Sequence, residues 1–114
     1  MRIDSYQFGE IVIDGKAYHR DVIIVDGLVK ANWWRAEGHL LSVGDIKSVI
    51  AAKPSILIVG CGTSGLMKVD QDVHSGLSAL NIRLEVFDTY QAVKRLNELW
   101  QGGINAAAAL HLTC

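Results

Sequence analysis

The sequence predicts a single α/β domain, 1–114, built of three layers around a central mixed sheet, with a β-hairpin region at its N-terminus. The chain has 114 residues, 50% of them hydrophobic, which suffices for one core and is too little for two. Its first third combines short apolar segments with turn dipeptides, a pattern typical of β-hairpins. The remainder alternates helical periodicity with apolar strand-like segments, a pattern typical of α/β folds.

The N-terminal third is predicted to form strands joined by tight turns. The first turn dipeptide, Asp14-Gly15, follows a segment rich in apolar residues. The second, Asp26-Gly27, separates the apolar segment 22–25 from segment 28–34, which we expect to return as its antiparallel partner. The apolar residues before the first turn are Tyr6, Phe8, Ile11 and Ile13.

Three helices are predicted in the remainder of the chain. The first begins at Ser42, where Asp45 three residues later resembles a capping box, and it ends at Lys53-Pro54. The second begins near residues 70–72, and the third is capped by Thr89. Their inner faces are expected to be Ile46, Val49 and Ile50 in the first, Val73, Leu77 and Leu80 in the second, and Val93, Leu96 and Trp100 in the third.

Three segments between and after these helices predict strands. Segment 56–59 is continuously apolar, as expected for a strand that is covered on both faces. If it lies beside segment 84–87, the helix between them makes a right-handed crossover and the two strands run parallel. Segment 104–112 is interpreted as a final strand, although its four consecutive alanines suit a helix equally well. Gly102-Gly103 ends the third predicted helix directly before this segment, which favours the strand interpretation.

Charge and composition exclude several classes of protein. The formal net charge is −1, whereas a nucleic-acid binder usually carries a basic stripe that neutralises phosphates. The longest apolar run, 106–110, has five residues, and a membrane-spanning helix needs roughly 20. The first residues lack the apolar region of a secretory signal, so Cys61 and Cys114 are expected to be reduced thiols in a cytoplasmic protein. We expect a monomer or a small homo-oligomer.

The segment 60–65 fits the pattern G-x-G-x-x-G directly after a predicted strand. In a dinucleotide-binding fold a helix begins directly after the glycine-rich loop, and its N-terminus holds the pyrophosphate. In this sequence the next helical pattern begins only at Asp70. We therefore expect a tight loop whose glycines adopt positive φ. The alternative is a loop whose backbone amides hold a non-nucleotide ligand, with Gly60, Cys61, Gly62 and Gly65 as its candidate residues.

The segment from Trp33 to His39 is the second candidate site. Adjacent strand residues point to opposite faces, so one of the two tryptophans, Trp33 or Trp34, can enter the core while the other faces a groove or the surface. Arg35 can stack on that ring or bind a carboxylate, and such residues are favoured at interfaces. The alternative is a core tryptophan beside a surface ion pair between Arg35 and Glu37.

Histidine and cysteine spacing suggests neither a metal site nor a cofactor. The four histidines lack the short spacings of metal ligands. Cys61 follows a predicted central strand, where ligand sites of α/β folds form, and with His111 nearby it could act as a nucleophile. The more common alternative is a small buried hydrophobic residue.

Several segments spread over nearly the whole chain form a distinctive set: Ser5-Tyr6-Gln7-Phe8-Gly9, Asp21-Val22-Ile23-Ile24, Asn32-Trp33-Trp34-Arg35, Glu37-Gly38-His39, loop 60–65, Thr89 with Ala92 and Asn97, and His111-Leu112-Thr113-Cys114. They resemble a family of small domains without established activity, which includes the mitochondrial complex I assembly factor three and an adipogenesis-associated domain protein. The resemblance implies a three-layer α/β fold around a mixed sheet with one antiparallel strand. It carries over no catalytic site, and its mitochondrial branch implies a non-catalytic role in assembly.

Two functional hypotheses follow. The first is a non-enzymatic accessory or binding domain that contacts a protein partner through the exposed tryptophan and aids assembly of respiratory or membrane protein complexes. The alternative is a small-molecule-binding protein or an enzyme that uses loop 60–65 with Cys61 and Arg35. The candidate ligand- or partner-binding residues are Trp33, Trp34, Arg35, His39, Gly60, Cys61, Gly62, Gly65 and His111.

Overall fold

The structure is a computed structural model that describes every residue from Met1 to Cys114. The strands are β1 (Ile3–Gln7), β2 (Glu10–Ile13), β3 (Lys16–Tyr18), β4 (Val22–Val25), β5 (Leu28–Lys30), β6 (Leu40–Leu41), β7 (Ile56–Cys61), β8 (Lys68–Val69), β9 (Arg83–Phe87) and β10 (Ala106–His111). The helices are a 3-10 helix (Val43–Ile46), α1 (Lys47–Ala52), α2 (Gln71–Ala79) and α3 (Thr89–Gln101). None of the helices has both the length and the apolar character needed to cross a membrane.

A five-stranded mixed sheet forms the middle layer, in the order β5-β4-β10-β7-β9. The strands β10, β7 and β9 are parallel, and β4 pairs antiparallel with both β10 and β5. Only β4 therefore runs against the others, as the resemblance implied. The predicted hairpin at Asp26-Gly27 is confirmed, but its second strand ends at Lys30 rather than Trp34. The chain leaves the sheet because Asn32 adopts a positive φ of 56°.

The four alanines of segment 104–112 lie in the central strand β10, not in a helix. Ala108 is paired with Ile24 on one side and with Ile58 on the other. All of Ala106–His111 is buried. The strand interpretation is confirmed because tertiary pairing on both edges outweighs the helix propensity of alanine. Small side chains at the centre also let both outer layers approach the sheet closely.

The two outer layers cover opposite faces of this sheet, which confirms the three-layer prediction. The 3-10 helix, α1 and α2 cover one face, where Ile46, Val49 and Leu77 pack against alternate residues of β7 and β10. The N-terminal sheet β1-β2-β3 and α3 cover the other face, where Ile11 and Leu96 belong to a second core cluster. The N-terminal hairpin region is therefore one of the covering layers.

Two helix predictions need correction. The second helix ends at Ala79, and Leu80, expected on its inner face, is 39% exposed. The chain reverses just after it, where Asn81 adopts a positive φ of 58°. The third helix is capped by Asp88, whose carboxylate accepts from the backbone N–H of Gln91, and Thr89 is its first residue.

The residues after β10 are bound to the loop that follows β7. The backbone N–H of Thr63 donates to the carbonyl of Thr113 at 2.7 Å, and that of Leu66 donates to the carbonyl of Cys114 at 3.1 Å. Gly62 has a φ of +100°, and a Cβ atom there would lie 2.4 Å from the carbonyl carbon of Cys114. Glycine is therefore required at position 62 both for its backbone conformation and for the close approach of the two segments.

We predict that Ala108→Leu lowers the free energy of unfolding by about 1–3 kcal/mol, because a larger side chain overpacks the centre of the sheet. The matched control is Ala17→Leu, an exposed position of β3, where the change should be about 0.5 kcal/mol or less. Denaturant unfolding of both variants measures the difference. Equal stabilities of the two variants would contradict the prediction.

We predict that Gly62→Ala destabilises the protein more than Gly15→Ala does. Both glycines have positive φ, but nothing lies within 4 Å of a Cβ atom at Gly15, so that variant reports backbone strain alone, about 1–2 kcal/mol. Gly62→Ala also forces segment 113–114 away from the loop. Denaturant unfolding gives the two costs, and hydrogen exchange at Thr63 and Leu66 reports the loosened segment. Similar costs for the two variants would refute this account.

Candidate functional site

The two adjacent tryptophans have opposite environments. Trp33 is half-buried, and its indole N–H donates to the carbonyl of Asp45 at 2.9 Å. Trp34 is 78% exposed. One tryptophan inside and one outside agrees with expectation, but strand alternation is not the cause. Both residues lie in the loop after β5, and hydrogen bonding of Trp33 fixes which of them points inward.

Arg35 is buried, so the alternative of a surface ion pair with Glu37 is wrong. Its Nη1 lies 2.8 Å from Oδ2 of Asp21, and its Nη2 donates to the carbonyl of Gly38 at 2.7 Å. The guanidinium also lies over the Trp33 ring, 4.8 Å from the ring centroid. A buried cation requires a buried partner, and Asp21 supplies the charge that the exposed Glu37 does not.

His111 completes this group, which we call the Asp21 cluster: Asp21, Arg35 and His111. The Nδ1 atom of His111 lies 2.8 Å from Oδ2 of Asp21. Since the carboxylate can only accept, this contact assigns the proton to Nδ1. Asp21 also accepts from the backbone N–H of Leu112 at 2.8 Å. The ring of His39 stands edge-on to that of His111, with centroids 5.8 Å apart.

The environment of Asp21 keeps its carboxyl group charged. Burial alone would raise its pKa, but the hydrogen bonds from His111, Leu112 and Arg35 outweigh burial and lower the pKa below its usual value. In the sequence, Asp21 stands out only as part of the family-like segment Asp21-Val22-Ile23-Ile24. Its partners His111 and Leu112 lie 90 and 91 residues away, so no local pattern pointed to this role.

An open groove of about 770 Å³ lies next to the Asp21 cluster. We call it the Trp34 groove. Asn32, Trp33 and Trp34, from the loop after β5, form one part of its wall. The other part contains polar residues from just before β4 and from the segment after β10, namely His19, Arg20, Asp21 and Thr113. The exposed indole of Trp34 thus lines a depression rather than standing alone on the surface.

The segment 60–65 forms a tight loop, as predicted. Gly60 and Cys61 still belong to β7, whereas Gly62 and Gly65 adopt positive φ values of 100° and 67°. The next element is the two-residue strand β8, not a helix. The geometry that holds a pyrophosphate at a helix N-terminus is therefore missing after this loop.

Thr89 connects this loop to the strand that carries His111. Its hydroxyl accepts from the backbone N–H of Gly62 at 2.8 Å and donates to the carbonyl of His111 at 2.6 Å. A Cβ atom at Gly60 would lie 2.9 Å from the same hydroxyl. The Thr89 hydroxyl was expected to cap α3. Instead, its two hydrogen bonds connect the ends of β7 and β10 to the first residue of that helix.

Cys61 lies beside His111, with which it is paired in the parallel register of β7 and β10. The residue is only 4% exposed, and burial raises the pKa of its thiol to about 11. The thiolate is the nucleophilic form of cysteine. The burial of Cys61 and its raised pKa therefore favour the role of a small buried hydrophobic residue over that of a nucleophile.

The candidate residues of the sequence analysis come together in two adjoining groups. Arg35 and His111 belong to the Asp21 cluster, Trp33 and His39 lie against it, and Trp34 lines the adjoining groove. The glycines of segment 60–65 and Cys61 lie at the end of β7. The two groups meet at the His111–Cys61 register pair. No group of three or more His, Cys, Asp and Glu side chains is arranged to hold a metal ion.

The chain was compared with known families and solved structures. It matches the family described as "Protein of unknown function (DUF498/DUF598)" over residues 3–111. Among solved structures, the conserved hypothetical protein PH1505 from Pyrococcus horikoshii OT3 is similar with a TM-score of 0.86 and 24% identity, covering 100% of both chains. An outer membrane protein from Bartonella henselae is similar with a TM-score of 0.85 and 20% identity, and the match covers 98% of this chain and 94% of that chain.

A third structure, a Mth938-like domain from Bordetella pertussis, gives a TM-score of 0.67 and 16% identity, covering 97% of this chain and 85% of that chain. At these identities the likeness shows a common fold. Because the family match extends over almost the entire sequence, the chain belongs to the family of proteins of unknown function (DUF498/DUF598).

Proposed function

We propose that the protein is a non-catalytic binding domain that holds a protein partner in the Trp34 groove. The observation that carries this proposal is the 78% exposure of Trp34 on a loop that the buried Asp21 cluster fixes in place. Tryptophan is enriched among the residues that dominate interface energies. Exposing so large an apolar side chain has no benefit for the isolated fold, since it is left in contact with water.

The rigidity of the loop supports this role. The residue before Trp34 is held by two hydrogen bonds, and the residue after it is held by the buried ion pair with Asp21. A side chain presented by a fixed backbone loses little conformational freedom when a partner binds. The indole can therefore serve as a preorganised anchor.

Charges around the groove indicate the chemistry of the partner. The carboxylate of Asp21 is neutralised by Arg35 and by the hydrogen bond from His111. Arg20 is exposed and forms no salt bridge within the chain. A partner segment with an apolar side chain for Trp34 and a carboxylate for Arg20 would complement both features.

Following the family resemblance, we further propose that the partner is a subunit of a respiratory or membrane protein complex during its assembly, and that the protein acts in the cytoplasm as a monomer or a small homo-oligomer. The similar protein from Bartonella henselae is named an outer membrane protein. An accessory protein of this kind needs a binding surface and no catalytic group, which agrees with the protonated thiol of Cys61.

We predict that Trp34→Ala abolishes capture of the partner while leaving the fold intact, because the indole contributes contact area and little to the core. Quantitative affinity capture from lysate, read by mass spectrometry, compares it with the natural sequence. Leu28→Ala is the matched control, since Leu28 is 67% exposed at the opposite end of the β4–β5 hairpin. If the folded Trp34→Ala variant still captures the same proteins, the proposal fails.

We predict that Asp21→Asn destabilises the protein by about 3 kcal/mol at pH 7, because it leaves the buried Arg35 without a counter-charge. The lowered pKa of Asp21 stabilises the fold above the unfolded value of about 3.9, and this stabilisation is lost as the pH falls through the folded value. The difference between the natural sequence and Asp21→Asn should therefore shrink in acid.

Denaturant unfolding at pH 7 and at pH values below about 4 measures this difference. Glu37→Gln is the control, because Glu37 is exposed and does not pair with Arg35. A difference that is the same at both pH values, or a Glu37→Gln variant that loses as much stability, would contradict the assignment of Asp21 as the counter-charge.

A further inference from the structure

A second depression lies where the chain leaves the adjacent parallel strands β7 and β9. After β7 the chain leads to α2 on one face of the sheet, and after β9 it leads directly to α3 on the other face. In open α/β sheets such divergence opens a crevice at the carboxyl ends of the strands, where ligands bind. The crevice here has a volume of about 410 Å³, which is within the range of small-molecule sites.

We call this crevice the switch-point cleft, and six of its lining residues carry the argument. Its apolar part contains Cys61 and Met67, which are 4% and 2% exposed, and the half-buried Phe87. Because the thiol of Cys61 is protonated at neutral pH, it behaves here as an uncharged side chain. The other three residues, Lys68, His74 and Asp88, are polar or charged.

The polar residues of the cleft differ in whether they have a partner. The carboxylate of Asp88 accepts from the backbone N–H of Gln91 and caps α3. Lys68 and His74 are exposed and take part in no salt bridge. The cleft thus offers the ammonium group of Lys68 and the imidazole of His74 beside an apolar floor, which is complementary to an amphiphilic anion.

The backbone of the neighbouring loop disfavours phosphate as that anion. A phosphate site needs several free N–H groups, but the N–H groups of Thr63, Gly65, Leu66 and Met67 all donate to carbonyl oxygens of the chain. The capping carboxylate of Asp88 also disfavours a doubly charged ligand at the start of α3. A single carboxylate needs fewer hydrogen-bond donors than a phosphate and brings less negative charge towards Asp88, and the ammonium group of Lys68 can pair with it.

We propose that the switch-point cleft binds small molecules that carry an apolar body and one carboxylate, with Lys68 and His74 holding the carboxylate and Met67 and Phe87 contacting the apolar body. This site is separate from the Trp34 groove and shares no lining residue with it. It retains the small-molecule alternative but assigns the contact with the carboxylate to Lys68 and His74 instead of Arg35, whose guanidinium is engaged by Asp21.

Benzoate is a suitable probe, with benzamide as its uncharged counterpart. In two-dimensional NMR titrations of the whole chain we expect saturable shifts of the backbone amides of 65–69 and 87–88 at up to about 10 mM benzoate, the range of a weak fragment site. Benzamide should bind at least about fivefold more weakly, since it lacks the charge. No saturable shift, or equal binding of the two probes, overturns the proposal.

Lys68→Met and His74→Gln should each weaken benzoate binding by about fivefold. Lys94→Met is the matched control, because Lys94 is an exposed lysine on α3 that does not line the cleft. Equal affinities of the Lys68→Met and Lys94→Met variants overturn the proposal, as do shifts centred on the Trp34 groove. Trp34→Ala should leave benzoate binding unchanged, so this site and the proposed partner groove are tested independently.

Discussion

The partly buried carboxylate of Asp21 joins three parts of the chain that are remote in sequence. It lies immediately before β4 and binds Arg35 in the loop after β5, together with His111 and the N–H of Leu112 at the end of β10. Removing Asp21 would leave the guanidinium of Arg35 buried and uncompensated, at a cost of about 3–5 kcal/mol. The position of Trp34, and with it the groove, depends on this ion pair.

A second set of contacts fixes the same edge of the sheet from the other side. The Thr89 hydroxyl connects Gly62 with the carbonyl of His111, and the Tyr6 hydroxyl donates to the carbonyl of Leu112 while it contacts the hydroxyl of Thr63. These two hydroxyls bind backbone groups at the end of the sheet ladder, where the carbonyl of Leu112 also accepts from the N–H of Gly9. The carboxyl ends of β7 and β10 are therefore held by side chains from the outer layer that β1-β2-β3 and α3 form.

Local sequence signals predicted the features that local physics controls. Asp14-Gly15 and Asp26-Gly27 both adopt positive φ, which is the backbone that a tight hairpin requires, and the capping box at Ser42 and Asp45 formed as expected. Arg35 was misassigned because the nearest opposite charge in sequence, Glu37, is exposed, whereas its true partner lies 14 residues away. Lys68 and His74 went unnoticed because the sequence does not show that both line a cleft together with Phe87 and Asp88 from the end of β9.

Both proposed sites lie at the carboxyl edge of the parallel strands, on either side of the His111–Cys61 pair. His111 belongs to the Asp21 cluster beneath the Trp34 groove, and Cys61 forms part of the floor of the switch-point cleft. A pair of adjacent strand residues thus supports two surfaces of different chemistry, one suited to an aromatic protein contact and one to a small carboxylate. This arrangement explains why the buried polar contacts concentrate at one edge: each open surface needs a rigid backbone beneath it, and hydrogen bonds to buried charges supply that rigidity more strongly than apolar packing alone.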